Sequence, residues 1–285
     1  MKLDNAERAN VLVEALPYLQ RYAGRTIVVK YGGNAMTDAN LQRAVMRDAV
    51  LLSLVGVRVV LVHGGGPQIS EMIARTGLET KFSGGLRVTD KETMRLVKMV
   101  LAGEVNKDLV GMIASCGGRA VGICGADGGL FRAQKLSEEL GFVGKITHVD
   151  PAAVNLLLDG GYIPIVASVG ADEAGNAYNI NADTAASALA GALRAEGLIV
   201  LTDTPGLLQK SDDPSTLIRR VTTRETKELI ASGVIRGGMI PKIEGCVEAL
   251  ENGVSRVFII DGRVPHALLI ETLTDEGLGT MIEKS

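Results

Sequence analysis

The sequence holds only three cysteines, Cys116, Cys124 and Cys246, and no C-x-x-C pair among them. That excludes a disulfide scaffold, and an odd count outside a secretory context fits reduced thiols in a cytosolic protein. No apolar run approaches the roughly 18 residues that cross a bilayer. The N-terminus has charges spread through it and no signal-peptide apolar region, so the expectation is a cytoplasmic protein without membrane contact. Positive charge is not in excess either: the net charge is −3, with no dense Lys/Arg cluster to mark a nucleic-acid partner. There is no G-x-x-x-x-G-K-[ST] loop, no G-x-G-x-x-G after the first strand, no H-E-x-x-H and no Cys/His metal cluster. A G-x-S-x-G elbow is also missing, which removes the usual hydrolase signature. The three histidines, His63, His148 and His266, are scattered, and the reading for each is a structural role.

What is present is a long apolar chain rich in glycine. Its 285 residues are 46% hydrophobic and include 35 glycines, many in pairs such as Gly32-Gly33, Gly64-Gly65-Gly66 and Gly237-Gly238. Such pairs mark left-handed turns or backbone closely approached by a ligand. The segment 3–22 reads as a helix interrupted at Pro17. Thr26–Asn34 then reads T-I-V-V-K-Y-G-G-N, a buried strand that delivers Lys30 to a sheet end, with a tight turn behind it. Asp38 caps a helix to about Val55, and Gly56 ends it. The strand Val57–His63 runs into Gly64-Gly65-Gly66-Pro67 and a helix, an arrangement that aims backbone N–H groups at an anion. Residues 78–88 read as a connecting segment, and Thr89-x-x-Glu92 as a capping box. Further strands fall at Ala120–Cys124, Tyr162–Ser168, Leu198–Thr202 and Val257–Asp261, with a hairpin near Phe142–His148 and a last edge strand at Thr280–Ile282. Strands alternating with helices predict a mainly parallel sheet covered on both faces, in two lobes that share it.

Two lysines beside glycine pairs, with several anion-ready turns, suit phosphoryl transfer. That reaction needs alignment and positive charge more than covalent help from the protein. Lys30 at a strand end and Lys242 at a helix start supply charge from two directions, and Asp183, in the first turn of its helix, is the candidate that holds them. Taken alone, either lysine reads first as a solvated surface residue, and Asp183 has the alternative role of a helix N-terminal carboxylate. Lys30 is the harder to dismiss, because a buried ammonium requires a partner.

The set V-V-K-Y-G-G, V-H-G-G-G-P, G-L-R-V-T, N-I-N-A-D and G-G-M-I-P-K, in this order, resembles the N-acetyl-L-glutamate kinases, a family of the amino-acid kinase superfamily active in arginine biosynthesis. The resemblance covers essentially the whole chain and implies the amino-acid kinase fold, a three-layer α/β/α sandwich. It implies that residues 25–180 form a lobe for acetylglutamate and dimerisation, and residues 181–285 a lobe for ATP. Lys30 and Lys242 would stabilise the moving phosphoryl group while Asp183 orients both. Gly65 and Gly66 would offer N–H groups to the acceptor carboxylate. Arg87 would pair with the α-carboxylate, and Asn179 and Asn181 would hold the acetamido group and α-carboxylate. Gly32 and Gly33 would face the phosphates. Thr202, Asp203, Thr204, Gly206 and Leu207, with Gly237, Gly238 and Met239, would contact the nucleotide. Mg²⁺ would be held mainly by ATP and water, so no protein metal site is expected. The product would be an acyl phosphate, formed without a covalent enzyme intermediate or a dedicated base, since the γ-carboxylate is already ionised at neutral pH.

The extra N-terminal segment, residues 1–24, is similar to the helix that builds a hexamer, a trimer of dimers, in arginine-inhibited members of the family. The segment from His266 to Thr280 is similar to the one that binds L-arginine there, with Glu276 and Gly277 facing the effector; the bland alternative is an ordinary last helix and edge strand. In photosynthetic organisms such kinases also bind a PII-type signalling protein, a partner the resemblance allows. Two other readings stay open. One is a sister kinase acting on glutamate, aspartate or carbamate, for which Arg87 with Asn179 is the discriminator. The other is a catalytically silent arginine or nucleotide sensor, against which both lysines and Asp183 speak.

Overall fold

The structure, a computed structural model, describes residues 4–210, 213–275 and 277–285. Helices α1 (Asn5–Glu14) and α2 (Leu16–Tyr22) precede strand β1 (Thr26–Tyr31). Next come α3 (Ala39–Leu54), β2 (Arg58–His63), α4 (Gly66–Thr76), β3 (Phe82–Ser83), β4 (Leu86–Arg87), α5 (Lys91–Lys98), a π-helical turn (Met99–Val105) and α6 (Asn106–Ser115). Beyond them lie β5 (Ala120–Cys124), β6 (Phe131–Lys135), β7 (Gly144–Val149), α7 (Ala152–Asp159), β8 (Ile163–Ala167), β9 (Val169–Ala171) and β10 (Ala177–Asn179). The chain closes with α8 (Ala182–Ala192), β11 (Gly197–Thr202), β12 (Arg220–Thr222), α9 (Thr223–Ala231), α10 (Met239–Glu251), β13 (Arg256–Asp261), α11 (Ala267–Leu273) and β14 (Thr280–Glu283).

One eight-stranded sheet, in the order β12-β14-β13-β11-β1-β2-β8-β5, runs through the molecule. The six strands from β13 to β5 are parallel; β14 runs antiparallel to β13, and β12 lies parallel to β14. Thr280–Ile282 is therefore not the edge that its terminal position suggests. The polar three-residue strand β12 lies outside it, too short to leave a periodic trace. A four-stranded sheet, β10-β9-β6-β7, contains the expected hairpin.

Period-two alternation decides which layer each strand residue meets. Ile27, Val29 and Tyr31 pack into the core under α3, α4, α5, α6 and α11. Val28 packs into the opposite core, under α7, α8 and α10. Lys30 shares the parity of Val28, so the strand turns it toward α8 and α10. His63, in register with Tyr31, takes the parity of Val59 and Leu61 and faces the other layer. On α8, Ala185, Ala186 and Ala190 are fully buried, small enough to let the helix approach the sheet.

Helix starts obey local chemistry. Asp38 accepts from the N–H groups of Asn40 and Leu41, a cap worth about 1 kcal/mol. Thr222 and Glu225 form a reciprocal capping box. The box predicted at Thr89 does not form. Asp90 caps α5 instead, and Thr89 is buried with its hydroxyl on the Arg87 carbonyl. Pro17 falls in the first turn of α2, where it needs no partner for a missing N–H, and the break lies at Ala15. Among the described residues no helix is long and apolar enough to cross a membrane.

Candidate active site

The parallel strands end on one side of the sheet, and β1 lies between β2 and β11, where the strand order reverses. Ligands of open α/β sheets bind at such carboxyl-end switch points. Lys30, the penultimate residue of β1, arrives there from below. Asp183 arrives in the first turn of α8, and Lys242 in the first turns of α10. Lys30 Nζ stands 3.0 Å from Asp183 Oδ1, and Lys242 Nζ stands 2.7 Å from Oδ2. One carboxylate therefore holds two ammonium groups that would otherwise repel. Burial pushes the Asp183 pKa up, but the two neighbouring lysines outweigh it and hold the group below its ordinary value. Cys246, one turn beyond Lys242, is buried and its thiol is pushed up to about 12 by burial, so it brings no reactive thiolate.

The turn after β1 closes over this clamp. Lys30 folds back over Gly32, where a Cβ would lie 2.7 Å from Nζ. Gly33 has φ +69°, and a Cβ there would meet the Asp203 carboxylate at 2.6 Å. Gly33 requires glycine for its backbone, and a side chain at Gly32 would push the Lys30 ammonium off the clamp.

On the β2 side, a cleft of about 210 Å³ is lined by Gly64, Gly65, Gly66, Arg87, Asn179 and Asn181, with apolar walls from Ile69, Leu101, Val143 and Ile180. All five residues expected to bind the acceptor therefore meet in one place. Gly65 caps α4 and Gly66 opens it, at the helix end where backbone N–H groups lack internal partners. Arg87 comes from a hairpin rather than a featureless connection. Gly84 (φ +56°) and Gly85 (φ +80°) form its two-residue turn, and both central residues of such a turn take positive φ. The guanidinium lies over the Phe82 ring at 4.8 Å and donates to Gly66 O, Ser70 Oγ and Thr80 Oγ1. Asn179 donates to the buried Thr89 hydroxyl, which leaves its carbonyl oxygen to the cleft. Asn181 spends its carbonyl oxygen on the N–H groups of Asp183 and Thr184 as the cap of α8, so only its NH₂ is free to turn to a ligand.

A second cleft, about 120 Å³, is lined by Thr204, Gly206, Leu207 and Met239, together with Val234, Ile235 and Arg236. The first four are expected here; the other three lack a local motif. Gly237 (φ +58°) and Gly238 form the turn that leads into α10. The Thr202 hydroxyl is committed to the turn itself, bonded to the N–H and carbonyl of Thr204. Gly206 (φ +147°) leaves no room for a side chain: a Cβ would stand 2.6 Å from the Thr280 hydroxyl, which receives the Leu207 N–H.

A third cavity, about 320 Å³, lies apart from the clamp, between α2 and the C-terminal segment. Tyr18, Arg219, Glu271, Asp275 and Gly277 are among its walls. The Tyr18 hydroxyl donates to Asp275. Glu271 Oε2 accepts from the N–H groups of Leu278 and Gly279, and burial raises its pKa. Gly277 therefore faces this cavity; Glu276 lies outside the described residues. Glu271, expected only as a member of the His266–Thr280 segment, is one of three carboxylates on these walls, with Asp275 and Glu283.

Comparison with known proteins gives a consistent picture. A sequence profile of the amino acid kinase family matches residues 25–261. The acetylglutamate kinase of Brachyspira hyodysenteriae is 54% identical over 284 residues, covering 99% of each chain. The solved N-acetylglutamate synthase from Neisseria gonorrhoeae, complexed with coenzyme A and N-acetyl-glutamate, superposes with a TM-score of 0.84 at 28% identity, covering 97% of this chain and 63% of that one. The same synthase complexed with coenzyme A and L-arginine gives a TM-score of 0.81 at 27% identity, covering 97% and 65%.

Proposed function

The chain belongs to the amino acid kinase family, and on that premise we propose that it phosphorylates N-acetyl-L-glutamate with ATP. The product is N-acetyl-L-glutamyl 5-phosphate, an early intermediate of arginine biosynthesis. The observation that carries the reading is the Lys30–Asp183–Lys242 clamp between an amide- and arginine-lined cleft and a second cleft on the C-terminal side.

Chemistry sets the roles. The acceptor is fixed by its two charged ends: Arg87 takes the α-carboxylate, and the N–H groups of Gly65 and Gly66 take the γ-carboxylate. Asn179 offers a carbonyl oxygen to the acetamido N–H, and Asn181 offers its NH₂ to an acyl or carboxylate oxygen. Gly32 and Gly33 cover the phosphates, and the Thr204–Leu207 turn with Met239 holds the nucleoside. Negative charge spreads over the phosphoryl oxygens in flight. Two fixed ammonium groups stabilise it there more than in the ground state, where the charge sits elsewhere. Asp183 keeps the lysines apart from each other and ready. MgATP is the substrate form that fits. Mg²⁺ is readily carried by nucleotide oxygens and water. The lobe division at residue 180 belongs to the same proposal. It is supported by the acceptor cleft drawing mainly on residues 64–180, with Asn181 and Ala182 at the boundary, and the nucleotide cleft on residues 204–239.

Regulation by L-arginine belongs to the cavity beside α2. Glu271 Oε1, next to Gly277, offers a carboxylate oxygen to a guanidinium or ammonium group. The exposed apolar side chains Val11, Leu12 and Val13 on α1 and Leu16 at the start of α2 support this N-terminal segment as the contact of a hexamer.

The test is an ATP-dependent acyl-phosphate assay with hydroxylamine trapping, on N-acetylglutamate against glutamate, aspartate and carbamate, with and without L-arginine. Hydroxamate formed from N-acetylglutamate alone is the expected result. Equal turnover of unacylated glutamate overturns the acceptor assignment.

A further inference from the structure

We propose that His63, held by Asn106, is a positioning residue for the acceptor: its ring N–H pins the Gly64 carbonyl and thereby aims the Gly65 N–H into the cleft. The inference rests on the reading of that cleft as the acceptor site.

A buried side chain whose orientation has one solution is the starting point. Asn106 is fully buried at the start of α6. Its Oδ1 receives Lys107 Nζ at 2.9 Å, and an ammonium can only donate. Its Nδ2 lies 2.9 Å from Ile165 O and 3.2 Å from Ile123 O, and a carbonyl can only accept. The amide therefore cannot be flipped. Its Nδ2 also stands 3.1 Å from His63 Nε2; its two protons are shared among these three acceptors, and because an amide nitrogen cannot accept, that ring nitrogen carries no proton. The His63 proton then belongs to Nδ1, which lies 2.8 Å from Gly64 O and donates to it.

That bond sets a peptide plane. In a trans peptide the carbonyl and the next N–H point in opposite directions. Drawing the Gly64 carbonyl onto the imidazole turns the Gly65 N–H the other way, toward the cleft that Gly65 lines. The π-helical turn completes the support. It carries Leu101 and Val105 against the same loop, where a Cβ on Gly65 would stand 2.7 Å and 3.3 Å from them. The extra residue in such a turn rotates the next helical position about the axis, and here that position is Asn106. Space for Asn106 comes from β5, where a Cβ on Gly122 would fall 1.8 Å from Oδ1. Lys107 also binds the Gly122 carbonyl, locking the amide from outside.

The two ring nitrogens can be replaced one at a time. The His63→Asn amide reproduces Nδ1 and keeps the Gly64 bond. His63→Gln reaches Asn106 with its carbonyl and loses the Gly64 bond. We expect His63→Gln to raise the KM for N-acetylglutamate about tenfold, the weight of one hydrogen bond, with the KM for ATP unchanged and His63→Asn close to the parent. Equal effects of the two variants, or equal shifts in both KM values, overturn the proposal. Should either variant fail to fold, ring-¹⁵N spectra of the parent decide. A neutral ring protonated at Nδ1 is expected at pH 7; protonation at Nε2 overturns the assignment. A parent that forms no acyl phosphate from N-acetylglutamate, yet shows the Nδ1–H ring, refutes the acceptor reading rather than the tautomer.

Discussion

At the scale of the residue, charge placement dominates. Lys30 and Lys242 each touch one oxygen of Asp183. Lys30→Ala or Lys242→Ala should lower kcat by about a hundredfold or more, as loss of a preorganised charge does. Steady-state kinetics check this, and near-normal kcat in both variants removes the assigned roles. His63 makes a separate statement about pH. Burial depresses its pKa from 6.5 to about 4, so the folded chain holds the ring neutral where the unfolded chain protonates it. The unfolded state then binds more protons, and stability rises with pH between about 4 and 6.5, by up to about 1.4 kcal/mol per pH unit. Denaturant melts across that window should show a slope that flattens in a folded His63→Gln variant. The lysines and the glycine pairs are legible as a motif set. Asn106, the partner of His63, is not, because 43 residues separate the two in the chain.

At the scale of the element, two features join distant segments. Local sequence marks Thr89 as the cap of α5, but its hydroxyl binds the Arg87 carbonyl and accepts from Asn179, tying two walls of the proposed acceptor cleft together. Asp90 takes the cap because its carboxylate reaches the Thr93 N–H at 2.7 Å; two adjacent cap-competent residues cannot be ranked without the path of the chain. The second feature is Asp48, fully buried on α3 and receiving His266 Nδ1 at the start of α11. Burial raises its pKa, opposed by His266 and the backbone of Leu268 and Leu269. His266→Ala leaves that carboxylate short of a donor, and should cost about 1–2 kcal/mol in urea unfolding with little change in the KM for either substrate. An unchanged midpoint would show the pair to be inconsequential. His266 has no visible partner in the sequence because Asp48 lies 218 residues earlier.

At the scale of the whole molecule, one continuous eight-stranded sheet runs through the chain, with Lys30 beside the point where strand order reverses. Helix α1 is the part this architecture does not use. None of its residues is buried, and Leu12 is 73% exposed. Large apolar side chains left in water on a capped helix suit the proposed contact with a neighbouring subunit. On the proposed hexamer and arginine site, deleting residues 1–20 should leave a dimer in sedimentation velocity and abolish or weaken any inhibition by L-arginine, since the deletion also removes Tyr18 from the cavity wall. A truncated chain that still sediments as a hexamer refutes the assembly role of the helix.

The sequence by itself determined the alternation of strands and helices, the parity that turns Lys30 to one face, and the glycine turns, because these depend on neighbours within a few residues. It also held the motif set that marks the family. Only the tertiary structure decided which polar groups meet. It joined Asp183 to both lysines at once, chose Asp90 over Thr89 as the cap, placed Glu271 in the cavity beside α2, and set Asn106 on His63. Apart from the cap, each of these is a contact between segments far apart in the chain, and its geometry exists only once the sheet has brought their ends together.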